Sequence, residues 1–103
     1  MTTPVTTLRN LQHLYDQGFR DEVTDTALQK IVNSQIARDQ ATLRDLERDL
    51  AELEAQCAMP SEMFHTRWSA GELNDSADFI DWHVLYEMVA EARGRVALLK
   101  SET

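Results

Sequence analysis

Two apolar stripes of the same period constrain this chain more than anything else in it. Leu43, Leu46, Leu50, Leu53 and Cys57 alternate by three and four residues, and so do Trp82, Leu85, Val89, Ala92, Val96 and Leu99. On an α-helix that spacing collects side chains along one edge, the seam by which helices pack side by side. A single corner, from Met59 to Asn74, separates the stripes. The pattern predicts an all-α fold: a long antiparallel helical hairpin, coiled-coil-like, with a short N-terminal helix and a short corner helix. The expected spans are 8–17, 24–57, 61–69 and 75–100, within a single domain covering 1–103. Residues 1–7 hold little that can be buried and are expected to be a disordered tail.

Local signals refine the ends. Leu8, Leu11, Leu14 and Tyr15 make one face of the first helix, with Leu28, Ile31, Val32 and Ile36 as its natural bed. Gly18 suits the left-handed position after a helix, with Phe19 placed to meet Leu14. Thr24 is the expected N-cap of the long helix, stapled by Val23 and Leu28. Pro60 is expected to stop that helix, Ser61 to cap the corner helix, Gly71 to end it and Asp75 or a neighbour to cap the return. With Leu50 level with Val89, Glu47 falls near Arg93 and Asp39 near Lys100, so opposite charges meet in this register. At about 1.5 Å per residue the outgoing helix is roughly 50 Å long, more than the return helix covers. The surplus apolar length predicts self-association, as a twofold dimer.

Charge and motif content exclude several functions. A net charge of −8 repels phosphate backbones and argues against direct nucleic-acid binding. No apolar run reaches the roughly 20 residues of a membrane span. The N-terminal MTTPVTTLRN lacks the layout of a signal peptide, so the expected location is cytoplasmic. The lone Cys57 lies in the seam and reads as a small buried thiol. There is no phosphate loop, zinc cysteine cluster or nucleophile elbow. Glu62-x-x-His65 has di-iron spacing but occurs once, so only a dimer could supply two copies. His83 and Glu87, four apart, could bind a metal but read as a surface pair, and His13 has no companion at ligand spacing. No catalytic residue, metal ligand or cofactor site is therefore assigned, and the chain reads as non-enzymatic.

The stretch Phe79–Val89 is apolar around most of the helix, so more than one neighbour must cover it. Phe64 and Trp68, one turn apart on the corner helix, can cover part of it. Between Ser69 and Ala92 there is no Lys or Arg, while Glu72, Asp75, Asp78, Asp81, Glu87 and Glu91 all lie there. Aromatic residues ringed by acids suit a basic protein partner. The expected contact set is Phe64, Trp68, Glu72, Asp75, Asp78, Phe79, Asp81, Trp82 and Tyr86.

The corner MPSEMFHTRWSAGELNDSADFIDW resembles a pattern in small, poorly characterised bacterial and archaeal helical-hairpin proteins. There a charged helix precedes a Met-Ser-Glu-Phe turn, a Gly-Glu-Leu, acidic residues and a Trp. The matching positions are Met59, Ser61, Phe64, Gly71, Glu72, Leu73, Asp75, Asp78 and Trp82. Some proteins of that kind look like antitoxin partners of small, nuclease-like toxins. The resemblance implies an antitoxin-like chain that occludes a small basic toxin. It implies no catalytic residue and does not reach the N-terminal helix. The alternative is a homo-oligomeric structural hairpin.

Overall fold

The described residues form four helices: α1 (Pro4–Asp16), α2 (Glu22–Cys57), α3 (Ser61–Ser69) and α4 (Ala77–Lys100). The computed structural model describes residues 3–101, and none of these forms a strand. No helix among them is long and apolar enough to cross a membrane. The chain divides into two compact units, residues 1–33 and 34–103. Helix α2 contributes to both.

In the first unit, helix α1 starts well before the expected position. The Thr3 hydroxyl accepts the Thr6 N–H at 3.1 Å, and Pro4 sits at the first helical position, where a missing N–H costs nothing. Residues 4–7, expected to be disordered, are therefore helical; residues 1 and 2 lie outside the described part. Gly18, at φ 96°, turns the chain out of α1. The Phe19 N–H reaches the Leu14 carbonyl at 3.3 Å and the Gly18 N–H the Tyr15 carbonyl at 3.0 Å, a Schellman closure.

Helix α2 begins at Glu22, and its cap is Asp21 rather than Thr24. The Asp21 carboxylate accepts both the backbone N–H and the hydroxyl of Thr24, at 3.0 and 2.6 Å. These bonds hold its carboxyl below the usual range. The Tyr15 hydroxyl donates to the Asp25 carboxylate, which pushes the phenol pKa up to about 12. Leu8, Leu11, Tyr15 and Leu28 line a shallow hollow of about 200 Å³. Ile31 does not join this bed: it is 64% exposed. At 3.6 residues per turn it lies about 60° around the helix from Leu28, while Val32 stays on the inner side, half-buried.

In the second unit, Leu46 and Leu50 of α2, Phe64 of α3, and Trp82 and Val89 of α4 form one buried core. Leu43, Leu53, Cys57 and Leu85 pack around it. The two stripes thus face each other in an antiparallel hairpin. The register is tied by Arg93, which donates to Glu47 at 2.8 Å. Asp39, however, pairs with Arg95 and not with Lys100. The guanidinium forks onto both carboxylate oxygens at 2.9 Å. Asp39 is only 5% exposed, and a buried carboxylate is better satisfied by a planar two-pronged donor than by an ammonium. Arg95 holds the Asp39 carboxyl below the usual range, against the opposing effect of its burial.

Helix α2 closes before Pro60 is reached. Ala58 adopts φ 50°, and the Met59 N–H bonds the Glu54 carbonyl at 3.2 Å. This is again a Schellman closure, with alanine where glycine is usual. Gly71, at φ 74°, ends α3 in the same way, the Glu72 N–H reaching the Arg67 carbonyl at 3.0 Å. The cap of α4 is Ser76, the neighbour of Asp75, as the expected position allowed. Its hydroxyl accepts the Phe79 N–H at 3.2 Å, and its own N–H bonds the Asn74 side chain at 3.0 Å.

Candidate functional site

The corner is built in two layers around α3. Its inner layer is the contact between Phe64 and Trp82, with ring centroids 4.1 Å apart. Phe79 packs against Phe64 at 5.6 Å, and Trp68 meets it edge-on at 5.8 Å. A buried indole N–H needs an acceptor. That of Trp82 finds the Ser61 hydroxyl at 2.9 Å. Ser61 is therefore the first residue of α3 and not its cap. The capping acceptor comes from α2: the Glu54 carboxylate takes the Ser61 N–H at 2.8 Å. An anion at the positive end of a helix is favourable. Ser61 thus joins three helices.

Phe64 is 1% exposed and Trp82 0%. Both were expected to touch a partner. They cannot, because they form the floor on which the other corner residues stand. Trp68, Phe79 and Tyr86 are half-buried and keep open edges, while Glu72, Asp75, Asp78 and Asp81 are exposed. Along the hairpin, Asp39, Asp45, Glu47 and Glu91 each meet an arginine. None of the four corner acids meets a cation among the described residues.

Ile80, Val84 and Met88 form an exposed apolar stripe on α4, each 43–49% exposed. The contact set read from the sequence left them out, although their four-residue spacing is plain. Between the helices, a groove of about 490 Å³ is bordered by Glu47, Glu54, Ser61, Tyr86 and Arg93.

The outer layer is an unexpected stack of imidazoles and aromatic rings. His65 lies on Tyr86 with centroids 4.5 Å apart and planes 16° apart. His83 lies on Trp68 at 5.1 Å and 17°. The two imidazoles are parallel to within 2° and 6.0 Å apart. Each histidine directly follows a core aromatic residue, Phe64 or Trp82. Once those rings meet, the next residue on each helix is carried to the same flank. His65 therefore finds its companions on α4, not in Glu62 on its own helix. One potential ligand atom from each of His65, His83 and Glu87 lies within 4.8 Å of the other two.

Compared with known protein families, with characterised proteins and with solved structures, the chain matches none.

Proposed function

We propose that this chain is a protein-binding module whose corner receives a basic partner. The observation that carries the reading is the set of exposed carboxylates Glu72, Asp75, Asp78 and Asp81, which form no ion pair among the described residues, beside the open edges of Trp68, Phe79 and Tyr86. Charges in such a position steer encounter, and aromatic edges hold the complex once formed. The likeness of the corner to antitoxin-like hairpins specifies the partner further, as a small basic nuclease-like toxin occluded by this surface. Phe64 and Trp82 support the surface from beneath. Ile80, Val84 and Met88 add apolar area beside it.

The test is capture of the partner by the tagged chain and by a variant carrying Asp75→Lys, Asp78→Lys and Asp81→Lys. The variant should lose affinity while its circular dichroism stays that of the parent, and parent binding should slow as salt rises. Equal affinity for every captured protein would show the corner acids to be solvated surface only.

A second reading, self-association as a dimer, draws on a separate observation. Val5, Leu8, Val23 and Ile31 are 61–77% exposed. Sedimentation at low micromolar concentration should then exceed monomer mass, and a clean monomer rejects this reading.

A further inference from the structure

We propose that His65, His83 and Glu87 bind one divalent transition-metal ion of the zinc type, bridging α3 and α4. This site is independent of the protein-binding reading. Three observations converge on it. The first is proximity: one ligand atom from each residue lies within 4.8 Å of the other two, and His83 Nε2 is 3.9 Å from Glu87 Oε1. That distance is too long for a hydrogen bond. Zinc bonds of about 2.0–2.2 Å put tetrahedral ligand atoms about 3.3 Å apart. No separation therefore has to close by more than about 1.5 Å. The carboxylate of Glu87 is on the exposed side of α4 and can swing inward.

The second observation is unmet bonding. The Nδ1 atoms of both His65 and His83 are buried and have no partner. Buried polar atoms are nearly always paired, so the orphan in His65 points to a missing partner; His83, whose Nε2 faces Glu87, would ligate through that atom instead. The third is orientation. Stacking of His65 on Tyr86 and of His83 on Trp68 fixes both rings before any ion arrives. A ligand set already held in place loses less freedom on binding.

The donor chemistry selects the ion. Two imidazoles with one carboxylate suit Zn²⁺ and its first-row neighbours, whereas Ca²⁺ and Mg²⁺ favour all-oxygen sets. Three protein ligands leave at least one coordination position open. Because His65 comes from α3 and the other two ligands from α4, the ion would clamp the corner helix to the return helix.

The experiment is calorimetric titration of the full metal-free chain with Zn²⁺, repeated on Glu87→Gln and His83→Asn. Thermal unfolding is followed with and without zinc. The parent should bind one Zn²⁺ per chain and gain in Tm. Each variant should bind at least about tenfold more weakly. Co²⁺ in place of Zn²⁺ should give a visible absorption band that both variants lose. Glu87 is exposed, so its variant keeps the test decisive if His83→Asn fails to fold. No saturable binding at 0.1 mM zinc (on the order of the weakest affinity a clamp could use) overturns the proposal. So does binding that Glu87→Gln leaves unchanged.

Discussion

Residues 34–103 hold Trp82, Phe64, Leu46, Leu50 and Val89 in one buried core, whereas no residue from 3 to 33 is buried. The helices of the smaller unit are nonetheless well defined at their ends. Thr3 and Pro4 start α1, Gly18 closes it, Asp21 caps α2, and Tyr15 bonds Asp25 across the turn. Its structure is specified by polar termini and one turn. The hairpin is specified by a seam, and its charges refine the fit. Helix formation and helix burial are thus separable within one chain. The first is written in caps and turns, and the second in the three–four spacing of apolar residues.

The largest expected effect that sharpens this contrast is at Trp82. Trp82→Ala should cost about 3–5 kcal/mol in chemical unfolding, while Leu11→Ala should cost about 1 kcal/mol or less. Leu11 is only half-buried in its shallow hollow. Comparable losses at the two sites would mean that the first unit has a core of its own.

Next comes the buried charge. The folded Asp39 carboxyl titrates below its unfolded value, so it contributes stability above the ordinary carboxylate pKa of about 3.9. That contribution disappears as pH falls through the lowered folded value. Asp39→Asn should accordingly be less stable than the parent at pH 7, and the difference should shrink below about pH 4. A difference that stays constant from pH 7 to pH 3 would mean that the pair with Arg95 adds nothing.

The smallest effect has the opposite sign. Ala58→Gly should stabilise the hairpin by about 1 kcal/mol, because only Ala58 among the three Schellman closures carries a Cβ at positive φ. Gly18→Ala should lose a similar amount. A destabilised Ala58→Gly would show that the entropy of the unfolded chain outweighs relief of the turn.

Most of the hairpin was legible because its signals are local or periodic. Glu47 and Arg93 could be matched once the seams were aligned, since both flank the same heptad edge. The partner of Asp39 was not, because choosing Arg95 over Lys100 depends on how deeply the carboxylate is buried. Thr3 and Pro4 carry a helix-start signal, but residues 1–7 read as a tail because they hold little that can be buried. Ser61 looks like a cap in sequence and serves instead as acceptor for an indole 21 residues away. The stack of His65 and His83 arises only when Phe64 meets Trp82. Within one helix neither histidine has a second imidazole at ligand spacing.

The cation-free stretch of the corner has a consequence for labelling chemistry. Lys30 and Lys100 are the only lysines in the chain. Apart from the chain's α-amine, amine-directed cross-linkers, dyes and immobilisation supports therefore react only there and leave the corner untouched. Lys100 lies about 35 Å along α4 from Ala77 at 1.5 Å per residue. Trypsin likewise finds nothing to cut between Arg67 and Arg93, so one peptide, 68–93, carries all four corner acids, both tryptophans, His83 and Glu87. A partner seated on the corner would go unseen by lysine footprinting, whereas a carboxylate-directed reagent would read its footprint from that single fragment.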